Sequence, residues 1–172
     1  MSVAAVARRV ARLLRTREVK VVFAESCTGG LVSGALTAVP GISDFHCGGV
    51  VVYRNATKTA YLGIPADVLQ KPGPVSAEVA ELMAIRILEK TPEADAAISV
   101  TGHLGPHAPA RLDGRVYSAV AWRDKDRNSA RFRVKTTRFQ CNKADSRLQR
   151  QRWVVQQVLE LLGRELEAAD DL

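Results

Sequence analysis

Aromatic side chains are scarce: four Phe, three Tyr and two Trp make up only 5% of 172 residues. A core must therefore be assembled from aliphatic residues, within a 47% hydrophobic and 25% charged composition typical of a globular domain. The stacking platforms that grip single-stranded nucleic acid are correspondingly few. Cysteine is sparse too. Cys27, Cys47 and Cys141 form an odd set without CxxC spacing, which argues against a disulfide framework and fits a reduced, cytoplasmic chain. Of the three histidines, His103 and His107 stand four apart, but in a Gly/Pro-rich stretch with no carboxylate pair beside them. No metal site and no cofactor is expected from them. No apolar run is long enough to span a bilayer, so no membrane partner is expected. Arginines interrupt the apolar N-terminus, which reads as an amphipathic first helix rather than a targeting segment.

Positive charge is present in excess and is unevenly placed. The net charge is +7, yet residues 111–152 hold thirteen Lys or Arg against four Asp (+9), while the rest of the chain is at −2. Such a half suits an anionic partner: a nucleotide, a phosphate or a nucleic acid. A solvated strand face is the plainer explanation, since Arg131, Arg133 and Lys135 alternate with Phe132 and Val134. A small-molecule nucleotide is the favoured partner and nucleic acid the less favoured one.

Helical and extended patterns alternate along the chain. A helix is predicted over 2–16, a buried strand over Val19 to Glu25, and a helix from Thr28 to Ala38 ended by Pro40-Gly41. A second strand is predicted over Gly48 to Tyr53, short helices over Asn55 to Leu62 and 66–70, and a helix capped by Ser76 and running to Lys90. A third strand spans Ala96 to Thr101. Arg115 to Arg123 and Ser129 to Thr137 pair around a charged turn from Asp124 to Asn128, and a last helix runs from about Lys143 to Glu167. The fold class is α/β: a single domain over 1–172, built as a three-layer α/β/α sandwich with a mostly parallel sheet and one antiparallel hairpin.

Open sheets of this kind bind ligands beyond the carboxyl ends of their strands. Three polar or Gly-rich segments fall there: Glu25-Ser-Cys-Thr-Gly-Gly30, Tyr53-Arg-Asn-Ala-Thr-Lys58 and Thr101-Gly-His-Leu-Gly-Pro106. Gly29 and Gly30 open a helix whose free N–H groups favour an anion or an oxyanion. Ser26 sits where its hydroxyl could attack a carbonyl, or simply cap that helix. Lys58, if desolvated, could take the serine proton, or it could be an ordinary surface lysine. Cys27 is a rival nucleophile that a helix N-terminus would activate.

These segments, with Val39-Pro-Gly-Ile-Ser43, Leu62-Gly-Ile-Pro65, Gly73-Pro-Val-Ser76 and Val100-Thr-Gly102, resemble the CinA C-terminal domain family of nicotinamide-nucleotide amidases. The resemblance runs through nearly the whole chain in order. It implies an α/β/α fold and hydrolysis of the carboxamide of nicotinamide mononucleotide to nicotinate mononucleotide and ammonia. It also implies a homo-oligomer and a metal-free Ser26–Lys58 pair assisted by Tyr53. Substrate binding would fall to Thr28, Gly29, Gly30, Asn55, Thr101, Gly102 and Arg147. The third loop departs from the family pattern, with His103-Leu104 for a small Ile-Ala pair and His107-Ala-Pro-Ala-Arg-Leu-Asp-Gly-Arg115 for a Gly-Gly-Thr stretch. Cys141-Asn-Lys143 replaces Gly-Asp-Arg before the last helix. Chemistry on a different amide, or a non-catalytic nucleotide-binding module, are the alternatives these departures open.

Overall fold

A computed structural model describes residues 1–124 and 131–168. Its elements are α1 (Val3–Arg17), β1 (Val21–Glu25), α2 (Leu31–Thr37), β2 (His46–Val51), α3 (Asn55–Leu62), α4 (Ala66–Gln70), α5 (Ala77–Glu89), β3 (Ala96–Gly102), β4 (Arg115–Arg123), β5 (Phe132–Gln140) and α6 (Arg147–Ala168). The sheet order is β2-β1-β3-β4-β5. β1 pairs parallel with β2 and β3, while β3–β4 and β4–β5 are antiparallel. The sheet is thus mixed by pairing, and "mostly parallel" holds in strand direction, because β4 alone runs against the other four.

Alternation along the central strands divides the core into two layers. Val21 and Phe23 of β1, with Ile98 and Val100 of β3, pack under α1, α2 and α6. Val22 and Ala24, with Ala97 and the β4 alanines Ala119 and Ala121, face α5 and the buried side chains of α3 and α4. Small residues on that second face let α5 settle close to the sheet, where Ser99 Oγ donates to the Ala80 carbonyl at 2.6 Å. Central strands buried on both sides read as continuous apolar runs, which is why they were recognisable.

Most boundaries fall within a few residues of expectation, and the larger differences have local causes. Ser76 caps α5 by accepting from Val79 N at 3.2 Å. α2 begins at Leu31 rather than Thr28, because Gly29 (φ 64°) and Gly30 (φ 94°) adopt left-handed conformations no helix interior allows. β5 begins at Phe132; Ser129, where the strand was expected to start, and most of the expected turn, 125–128, lie outside the described residues. α6 begins four residues later than expected. Asn142 Oδ1 accepts from Ala144 N at 3.1 Å, turning the chain. Ser146 and Gln149 then form a reciprocal capping box, Ser146 N to Gln149 Oε1 at 2.8 Å and Gln149 N to Ser146 Oγ at 3.4 Å.

Candidate active site

β1, β2 and β3 end together, and the first two loops converge there. Ser26 prolongs the ladder beyond β1 by donating its N–H to the Val100 carbonyl at 3.0 Å. Its hydroxyl meets Lys58 Nζ of α3 at 3.1 Å, and Nζ also donates to the Val52 carbonyl at 2.8 Å. Both side chains are buried, Ser26 at 6% and Lys58 at 1% exposure. Loss of water disfavours the ammonium, and burial lowers the Lys58 pKa from 10.5 to about 8, against a smaller opposing effect from Cys27. An amine that is partly free near neutrality and in contact with a hydroxyl is a competent general base.

Cys27 does not take up the activation expected of it at a helix N-terminus. Its thiol is only 4% exposed, and burial, with Cys141 nearby, raises its pKa to about 12. A thiol held protonated in an apolar layer is a poor nucleophile.

The Ser26–Lys58 pair opens into a cavity of about 170 Å³, which Tyr53, Asn55, Thr101, Gly102 and Arg147 also line. Thr101 Oγ1 is committed to the Pro74 carbonyl at 2.7 Å. Gly102 is required sterically: a Cβ there would lie 2.6 Å from Val116 Cγ2 and 2.9 Å from the Arg115 carbonyl. Tyr53, 55% exposed, accepts from Arg147 Nη2 at 2.8 Å, and Arg147 Nη1 donates to the Gly105 carbonyl. Arg147, opening α6, therefore ties the second loop to the third.

Thr28, Gly29 and Gly30 are not among the residues lining this cavity. Thr28 is fully buried, and its hydroxyl donates to Glu25 Oε2 at 2.6 Å. Gly29 N donates to the Ser26 carbonyl at 3.0 Å and Gly30 N to Glu25 Oε2 at 3.0 Å. The two glycine N–H groups, first assigned to an oxyanion, are already engaged within the loop. The N–H of Cys27, beside the serine, donates to no backbone carbonyl among the described residues.

Several residues with a part here went unassigned in the sequence. Glu25 is one, and His103 and Leu104, seen first only as departures, are cavity walls. Arg150 is another. Its guanidinium donates to Asp113 Oδ1 at 2.7 Å, to the Asn142 and Lys143 carbonyls at 3.1 and 2.9 Å, and to the Leu104 carbonyl at 3.4 Å. It clamps the third loop to the turn before α6, and its hydrogen bond holds the Asp113 carboxyl below its ordinary pKa. An Arg one helical turn beyond Ser146 was the only signal, and nothing local named its partner. A second cavity, about 580 Å³, lies against this clamp and shares Leu104 and Arg147 with the first.

The basic segment is partly consumed by the fold. Arg123 donates to the Leu88, Thr91 and Ala94 carbonyls behind α5, and Lys135 pairs with Glu165 at 2.6 Å. Among the described residues no cluster of three His, Cys, Asp or Glu could hold a metal ion, and no helix is long and apolar enough to cross a membrane.

Fold and site together define a class: a three-layer α/β/α domain carrying a lysine-paired serine at the carboxyl edge of its sheet. The family model for the CinA C-terminal domain matches residues 3–166, and the chain belongs to that family. Among solved structures it is similar to a competence-damaged protein (CinA) superfamily protein from Klebsiella pneumoniae, with 27% identity, a TM-score of 0.87 and coverage of 98% of this chain and 99% of that one. It is also similar to the competence/damage inducible protein CihA from Agrobacterium tumefaciens, with 32% identity, a TM-score of 0.85 and coverage of 96% and 95%. A CinA-like protein from Desulfotalea psychrophila is 50% identical over 97 residues, 56% of this chain and 23% of that protein. One from Geobacter metallireducens is 43% identical over 114 residues, 65% and 27%. The chain thus spans about a quarter of the length of these curated relatives.

Proposed function

We propose that this domain hydrolyses a carboxamide on a small anionic molecule, nicotinamide mononucleotide being the substrate the family resemblance favours. The observation that carries the reading is the buried 3.1 Å contact between Lys58 Nζ and Ser26 Oγ, with the lysine pKa lowered to about 8. Neutral Lys58 takes the Ser26 proton, and Oγ forms a bond to the carbonyl carbon. The oxyanion meets the N–H of Cys27. The lysine ammonium returns its proton to the amide nitrogen as the C–N bond breaks, and ammonia leaves. Water, giving its proton to Lys58, then cleaves the acyl-enzyme to the carboxylate and restores the serine. Tyr53, at the mouth of the cavity, orders the entering ring with Arg147.

The size of the cavities supports an amide at one end of a longer, charged substrate. A space of about 170 Å³ suits an aromatic carboxamide, and Arg147 stands where it meets the larger space lined also by Lys143. A phosphate there would form charge-assisted bonds. Work in the cytoplasm and assembly as a homo-oligomer belong to the same proposal.

Ammonia release from nicotinamide mononucleotide tests it. The wild type should turn over, and Ser26→Ala should lose on the order of 10³-fold or more in rate. Normal activity in Ser26→Ala would exclude the mechanism. His103 and Leu104, both in the cavity wall, favour one second reading, the same chemistry on a different amide. A panel of anionic aromatic and aliphatic amides separates the two.

A further inference from the structure

Glu25 is a carboxylate sealed beneath the catalytic loop, 2% exposed. It ends β1 with Val51 and Val100 as its parallel partners, and its carbonyl accepts from Val52 N at 2.8 Å. Its side chain collects four donors. Oε2 accepts from Thr28 Oγ1 at 2.6 Å, Gly30 N at 3.0 Å and Val32 N at 3.2 Å, and Oε1 accepts from Ser33 N at 2.8 Å. Three of these are amides at the start of α2, which have no partner within the helix. α2 has no side-chain cap of its own, since Gly30 occupies that position. A carboxylate from the preceding strand does the work of an Asn or Asp cap.

The segment between strand and helix is thereby closed at both ends. Covalent bonds fix it at Glu25, and hydrogen bonds return it to the same residue at Thr28 through Ser33. Inside that ring the Ser26 N–H is held by Val100 and its carbonyl accepts from Gly29 N. Neighbouring side chains diverge here, the carboxylate toward α2 and the hydroxyl toward Lys58 on α3.

We infer that Glu25 is a positioning residue of the Ser26–Lys58 pair: its buried carboxylate holds the turn in the conformation that brings Oγ against Nζ, without touching the reacting atoms. The inference rests on the serine–lysine reading. A glutamine at this site offers one acceptor oxygen and sets an NH₂ group against amide donors. An aspartate keeps the acceptor capacity at shorter reach. Misplacing a reacting atom by about 1 Å costs about 100-fold in rate.

The test uses the full chain and two readouts: the rate at which a fluorophosphonate probe labels Ser26, and kcat and KM for ammonia release. Glu25→Gln should label about 100-fold more slowly and lose kcat in proportion, with KM changed less than about threefold. Glu25→Asp should recover part of both losses. Thr28→Val removes one of the four bonds while keeping the shape. It should slow labelling several-fold and lower the melting temperature by only a few degrees, so that the folded chain is still assayed. It also decides the question should Glu25→Gln not fold. Equal labelling of wild type and Glu25→Gln, or of wild type and Thr28→Val, overturns the inference alone. A wild-type Ser26 that resists the probe overturns the serine–lysine reading and this inference with it.

Discussion

Replacing Lys58 with methionine removes a cation that the fold keeps dry. The lowering of its pKa from 10.5 to about 8 corresponds to a penalty on the order of 3 kcal/mol for holding the protonated amine in place. Methionine fills similar space without the charge, but leaves the Val52 carbonyl without its 2.8 Å donor, a loss of about 1–2 kcal/mol. The variant should therefore be more stable than the wild type by about 1–2 kcal/mol at pH 7, a rise of a few degrees in Tm for a chain of this size. The sign changes with pH. Well below pH 8 the lysine is protonated in both folded and unfolded chains, and the penalty is complete. Between about pH 8 and 10.5 the unfolded chain binds more protons, so wild-type stability climbs and the advantage of the variant fades. Activity should move the other way. Wild-type kcat/KM should rise with pH to a plateau above about 8, and Lys58→Met should be inactive across the range. Differential scanning calorimetry at pH 7 and pH 10, beside an ammonia assay, checks both. A Tm difference that is independent of pH, or a variant several degrees less stable at pH 7, would show that Lys58 is no desolvated cation.

Cys27→Ser should keep activity within a few-fold, and a thiol reagent should modify Cys27 slowly until the protein unfolds, because the thiol is buried and protonated. Arg147→Ala should raise KM for a phosphorylated amide by about 10- to 100-fold and that for neutral nicotinamide by much less, since only the ring-ordering contact is lost there, as steady-state kinetics on both would show. Arg150→Met should lower Tm and raise KM together, by releasing the third loop. The Arg150–Asp113 pair stabilises fully above the ordinary carboxylate pKa of 3.8 and is lost as pH falls through the depressed value, so acid melts should lose that dependence in the variant.

The order of elements, the three-layer architecture and the convergence of the first two loops were legible because each follows from a local pattern. Buried central strands need unbroken apolar runs such as Val21-Val-Phe-Ala24, and turns need residues such as Gly29 and Gly30 that tolerate positive φ. The resemblance carried the Ser26–Lys58 pair, whose members lie 32 positions apart. Local reading failed where a polar group's partner is chosen across the fold. Helix α2 promised free N–H groups at Gly29 and Gly30, yet Ser26 and Glu25 accept from both. Cys27 promised a low pKa from its place beside that helix, yet packing under α6 raised it.

By itself, then, the amino-acid order settled what periodicity and backbone freedom can settle: which segments extend, which coil, which turn, and which edge of the sheet gathers the polar loops. Only the assembled tertiary structure decided which donors were spent, which thiol was silenced, and that Arg150 should reach across to Asp113. Hydrogen-bond partners and desolvation depend on groups brought together from distant parts of the chain, and those distances exist only after folding.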